Sequence, residues 1–276
     1  MLKRKRLQNF FAFLFALGIF ALLDLLLFSK FFTGENHVPT YDSTSKVVFQ
    51  KGIFILGNDT LPYRLLAPEK IDAGKKYPIL LFFHGAAQRG NDNESQLADI
   101  PPLLKDSAGR KKYPCYILIP QCPNGKQWVE VNWRDSTEVM PEKISDVENL
   151  SMQLLNDMEK KLAVDTSKIY VVGLSMGGFA VWDLICRFPE KFAAAVPICG
   201  GGDEAQAKKI IQIPIWAFHG KQDDFVPYSR SENMVAAVNK SGGNAKLTLY
   251  PNEKHASWNE VFADPELFKW LFAQKK

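Results

Sequence analysis

At 276 residues, with 46% hydrophobic and 23% charged residues, the chain has a globular composition and is long enough for one large α/β domain. Its net charge of +4 is carried entirely by residues 1–32, which hold five Lys or Arg and one Asp, so a nucleic-acid partner is excluded. No Cys or His cluster has ligand spacing, so neither a metal nor another cofactor is expected.

The first element is an apolar run over residues 10–28, interrupted only by Gly18 and Asp24 and preceded by Lys3, Arg4, Lys5 and Arg6. Nineteen helical residues rise about 28 Å, close to the apolar thickness of a bilayer. The basic cluster reads as a positive-inside flank, which directs the remainder of the chain to the outer side. Ala16-Leu17-Gly18 would cut a signal h-region short, and no small-x-small pair follows Asp24. Residues 1–32 are therefore expected to be a signal-anchor in the membrane, with the folded domain outside the cytoplasm. A cleaved signal, giving a secreted or periplasmic protein, is the alternative. Residues 33–46 are polar and read as a tether, and the folded domain is expected over 47–276.

Within that domain, residues 47–56 and 61–67 read as two strands around the turn signal Gly57-Asn58-Asp59. Residues 77–83, 115–119, 169–172, 193–198, 213–218 and 246–250 supply six more. Helical patterns lie at 142–162, 176–188, 229–240 and 259–273. Two early strands followed by alternating strands and helices predict a mostly parallel eight-stranded sheet with helices on both faces.

The most informative motif is Gly173-Leu174-Ser175-Met176-Gly177, set between the β-branched run ending at Val172 and the helical pattern from residue 176. Strand, small-residue turn and helix form a nucleophile elbow, which holds a serine hydroxyl out above the sheet. A serine needs a base, an orienting acid and donors for a developing oxyanion. In the order Ser, acid, His, only His219 and His255 follow Ser175, and His255 leaves room for an acid after the preceding strand. Asp223 and Asp224 compete for that place. Adjacent residues in a turn point apart, and Asp223 is preferred. The oxyanion donors are assigned to the backbone N–H of Met176 and of Ala86, the latter in the loop that begins His84-Gly85. His84 is read as packing and orienting that loop.

These segments, with Pro120-Gln121-Cys122-Pro123 and Ser257-Trp258, give the chain a resemblance to serine esterases of the α/β-hydrolase superfamily. The likeness is to the carboxylesterase group that includes predicted peptidases and polyhydroxybutyrate-depolymerase- and feruloyl-esterase-like proteins. It spans about residues 47–274 and implies Ser175 as nucleophile, Asp223 as acid, His255 as base, and Ala86 with Met176 as oxyanion donors. Ala87 stands where glycine is common in the oxyanion loop.

An exported hydrolase of short-chain or carbohydrate-linked carboxylic esters is the expected function. A prolyl-oligopeptidase-type peptidase and a non-catalytic membrane-anchored binding module are the alternatives. Trp128, in the long loop before residue 142, is the candidate substrate platform, against a role in anchoring that loop. Cys115, Cys122, Cys186 and Cys199 are expected to be thiols, because Cys122 and Cys199 end strands that are not neighbours.

Overall fold

The computed structural model describes residues 49–276. The anchor expected at 1–32 and the tether at 33–46 lie outside the described residues. Among the described residues no helix is long and apolar enough to cross a membrane.

Gly57, at φ 62°, turns the chain between β1 (Gln50–Leu56) and β2 (Asp59–Leu66), which pair antiparallel. Short apolar runs then make β3 (Tyr77–Phe83), β4 (Tyr116–Pro120), β5 (Val164–Leu174), β6 (Ala194–Ile198), β7 (Trp216–Gly220) and β8 (Lys246–Tyr250). The sheet order is β1-β2-β4-β3-β5-β6-β7-β8, with β2 antiparallel to β4 and all pairs from β4 to β8 parallel. The eight-stranded, mostly parallel sheet agrees with the expectation.

Side chains alternate across the sheet, so Ile79, Leu81 and Phe83 pack on one face and Leu80 and Phe82 on the other. The first face is covered by α3 (Asp146–Lys161), α4 (Met176–Arg187) and α5 (Ser229–Lys240). The second is covered by α1 (Pro102–Lys105), α6 (Trp258–Ala263) and α7 (Pro265–Ala273), with α2 (Ser107–Lys112) beside α1. Each fully buried apolar side chain in these layers contributes about 1.5–3 kcal/mol. Because β3 to β8 run the same way, the loops after β3, β5, β7 and β8 emerge at one edge, where α/β sheets build their sites.

Local chemistry shifts several boundaries. The helix expected from 142 starts at Asp146, because Ser145 Oγ accepts the Glu148 N–H at 3.1 Å and caps it there. The helix expected over 259–273 is two helices, α6 and α7. Pro265 has no N–H to continue the first helix and instead opens the second, which Asp264 caps by accepting the Glu266 N–H at 2.9 Å. The short α1 and α2, and the 3-10 turns Ala86–Gln88 and Ser95–Leu97, are absent from the sequence expectation, since pieces this short carry little periodicity; a further 3-10 turn, Glu204–Ile210, is capped by Asp203.

All four cysteines are buried free thiols, and burial pushes each up to about 12. Cys122 follows β4 and Cys199 follows β6, with β3 and β5 between, so three ladder steps of about 4.8 Å separate the strands. A disulfide cannot span that gap.

Candidate active site

Buried β5 ends at Leu174, and Ser175 takes φ 55° and ψ −121° before α4 begins at Met176. A non-glycine residue in this left-handed region is strained, and the surroundings hold it there. Its N–H donates to Ile198 O at 2.8 Å, and its carbonyl accepts the Gly178 N–H at 2.7 Å. A Cβ on Gly177 would run into the carbonyl oxygen of Phe83, so only glycine lets α4 approach β3 this closely. Gly85 lies on the other side of the serine, near its Cβ.

His255, in the loop after β8, places Nε2 at 2.8 Å from Ser175 Oγ and Nδ1 at 2.7 Å from Asp223 Oδ2. The carboxylate accepts only, so Nδ1 carries the hydrogen and Nε2 is left to accept the serine proton. Asp223 follows β7, and its Oδ1 accepts the N–H groups of Phe225 and Val226, both at 2.9 Å. Burial pushes this carboxyl up, but hydrogen bonds from His219, His255 and Val226 outweigh it and hold the group below the usual carboxylate range. Asp224 is exposed. The structure thus brings Ser175, His255 and Asp223 into one hydrogen-bonded line.

Ala86 opens the 3-10 turn Ala86–Gln88 and Met176 opens α4, positions whose N–H groups have no acceptor within the helix. His84 organises the first of these turns. It accepts the Cys122 N–H at Nε2 (3.0 Å) and donates from Nδ1 to Gly85 O (2.7 Å). Burial pushes its pKa down to about 4, so it stays neutral.

A pocket of about 430 Å³ opens over Ser175 and His255, walled by Ala87, Trp133, Arg134, Phe225 and Trp258. Phe225 and Trp258 flank the His255 ring at centroid distances of 5.3 and 5.4 Å. The Arg134 guanidinium lies 5.7 Å from the Phe225 ring centroid.

Trp128 is corrected by the structure. It is fully buried, edge-on to Phe83 at 4.9 Å, and donates Nε1–H to His84 O at 3.1 Å, so it does not line the pocket. Trp133, five residues on, does. The loop carrying Trp133 is clamped by Arg230, which donates to Asp135 O at 2.8 Å and pairs with Glu138. Asp203 Oδ2 also accepts the Met140 N–H at 3.1 Å. Sequence reasoning misses Arg230 and the contact of His219 with Asp223 Oδ2 at 3.1 Å, although chain order alone makes His219 a candidate base.

Cys199, Asp223 and His255 bring metal-ligating atom types within 4.8 Å of one another. Two of the three are already bonded to each other, and the Cys199 thiol, at about 12, stays out of the thiolate form that metals bind.

Residues 118–264, just over half of the chain, match the model of the dienelactone hydrolase family. The chain belongs to the dienelactone hydrolase family. The fold agrees with that of a crystallised thermostable esterase, at 32% identity and a TM-score of 0.76, covering 83% of this chain and 63% of that one. Among curated proteins, the bifunctional acetylxylan esterase/xylanase of Neocallimastix patriciarum is 25% identical over 57% of this chain and 21% of its own length. Dipeptidyl-peptidase 5 of Porphyromonas gingivalis is 24% identical over 78% of this chain and 36% of its own. The chain therefore spans little more than a third of these relatives at most. The resemblance to α/β-hydrolase esterases and the expectation of an esterase-type hydrolase agree with this dienelactone hydrolase membership and with the esterase neighbour.

Proposed function

We propose that this dienelactone hydrolase family member is a serine esterase that cleaves short-chain or carbohydrate-linked carboxylic esters through an acyl-enzyme. The observation that supports it is the 2.8 Å and 2.7 Å series from Ser175 through His255 to Asp223, open to a pocket. Ser175 Oγ attacks the ester carbonyl carbon as its proton passes to His255 Nε2, and the carbonyl electron pair moves onto the oxygen. The N–H groups of Ala86 and Met176 receive that oxyanion. The C–O bond to the alcohol breaks, the alcohol takes the proton from His255, and water repeats the sequence to release the acid. Asp223 stays ionised and stabilises the imidazolium throughout.

A fluorophosphonate probe tests the reading. Labelling of the wild type that vanishes in Ser175→Ala is expected. A folded but unlabelled wild type would instead favour a non-catalytic binding module. The dipeptidyl-peptidase relative, alignable over most of the chain, favours peptide hydrolysis as a second reading. Faster turnover of a peptide amide than of a matched 4-nitrophenyl ester would establish it.

The basic cluster at residues 3–6 and the apolar run after it support a signal-anchor, with the hydrolase acting outside the cytoplasm. Sedimentation of the full-length protein with membranes, its N-terminus intact, is the expected result. A soluble form starting at or beyond Gly18 would overturn it.

A further inference from the structure

His219 ends β7's run into the acid loop and is wholly buried. Its Nε2 faces two oxygens, Asp223 Oδ2 and Val226 O, each at 3.1 Å. A carboxylate and a carbonyl only accept, so this nitrogen must carry the hydrogen and donate it. Its Nδ1 lies 2.8 Å from Ser231 Oγ on the first turn of α5, and the same hydroxyl is 2.9 Å from Gly200 O in the loop after β6. Ser231 therefore ties the imidazole to α5, and the hydroxyl's one hydrogen is shared between that ring and the β6 loop.

A buried, hydrogen-bonded histidine is often only a packing residue. The oxygen it points at argues for more. Asp223 Oδ1 is occupied by the backbone N–H groups of Phe225 and Val226, whereas Oδ2 is shared between His219 Nε2 and His255 Nδ1. The backbone bonds fix where the carboxylate sits. His219 supplies the remaining side-chain donor that fixes the oxygen facing His255 Nδ1. An ionised carboxylate at this depth needs such donors, because burial without them favours the neutral acid, which would no longer stabilise a charged His255.

We propose that His219 is a positioning residue of the reaction, holding Asp223 Oδ2 in line with His255 Nδ1 and itself held by Ser231. The inference rests on the triad reading above. No proton passes through His219; it acts on the geometry and ionisation of Asp223. Its effect is on the state in which His255 is charged, so it bears on kcat rather than on substrate affinity.

His219→Leu removes the donor at similar apolar volume, and His219→Gln retains an N–H donor on a side chain of comparable reach. With 4-nitrophenyl acetate, His219→Leu is expected to lose about 10- to 100-fold in kcat, short of the ~10⁴-fold typical when a triad acid loses its charge, with KM within about 2-fold. His219→Gln should recover to within about 5-fold of wild type, and Ser231→Ala should fall between the two. A folded His219→Leu with wild-type kcat, an equal loss in His219→Gln, or a change confined to KM would overturn the proposal.

Should His219→Leu not fold, ¹⁵N NMR of the wild-type imidazoles decides. His219 Nε2 should be the protonated nitrogen, with its proton resonance displaced in Asp223→Asn, and an unprotonated Nε2 refutes the contact. Failure of the triad reading itself shows separately, as absence of fluorophosphonate labelling while the NMR signature persists.

Discussion

Trp128 donates its indole N–H to the carbonyl oxygen of His84 at 3.1 Å, so the ring is a strut beneath the loop that presents the Ala86 N–H. Replacing it by phenylalanine keeps most of the packing against Phe83 but strands a buried carbonyl, at a cost of about 1–3 kcal/mol. Replacing it by alanine empties the site and costs about 3–5 kcal/mol. Urea denaturation should show this order. A variant as stable as wild type would mean that the loop does not depend on Trp128.

The line through Ser175, His255 and Asp223 makes strong kinetic demands. Ser175→Ala should lower turnover of 4-nitrophenyl acetate by about a million-fold and Asp223→Asn by about ten-thousand-fold, with both proteins folded by circular dichroism. Asp224→Asn, at an exposed position, should stay near wild type. Equal losses at 223 and 224 would contradict the assignment of the acid.

Phe225 is 56% exposed yet lies against the His255 ring at the mouth of the pocket, a position suited to substrate rather than to the core. Phe225→Ala should raise KM for an aryl ester by about 2- to 12-fold, the equivalent of an aromatic contact worth ~0.5–1.5 kcal/mol. Its melting temperature should barely move. An unchanged KM would place the substrate elsewhere in the pocket.

Glu138 gives the clamp on the Trp133 loop a pH dependence. Burial pushes its carboxyl up to about 7, more than the Arg230 guanidinium draws it down, with Asp183 and Asp203 adding repulsion. In the unfolded chain it titrates near 4.5, so between those values the folded protein holds a proton that the unfolded one has released. The associated stability is fully present below pH ~4.5 and is lost as pH rises to ~7, by up to about 3 kcal/mol. Glu138→Gln removes that dependence, so the stability difference between variant and wild type should shift in the variant's favour from pH 5 to pH 8. Parallel denaturation curves at the two pH values check this, and a constant difference would refute it.

Much of the site is legible in sequence because its signals are local. The elbow over 173–177 is encoded by residues adjacent in the chain. The order of Ser175, Asp223 and His255, and their places after strands, follow from apolar runs a few residues long. Pro265 is equally local: a proline inside a helical pattern is a breaker, and it splits the helix expected over 259–273 into α6 and α7.

The features hidden from sequence depend on where side chains point once distant segments pack. Trp128 and Trp133 sit in one loop and read alike. Only the approach of that loop to β3 sends one ring under His84 and leaves the other on the pocket. Chain order makes His219 a candidate base, but its part depends on α5 folding back so that Ser231 orients the imidazole toward Asp223. The sequence by itself determined the strand order along the chain, the elbow and the set of chemical groups, since these follow from backbone propensity and short-range spacing. Tertiary structure alone decided which tryptophan lines the pocket and how many histidines contact the acid, because both depend on packing between residues far apart in the chain.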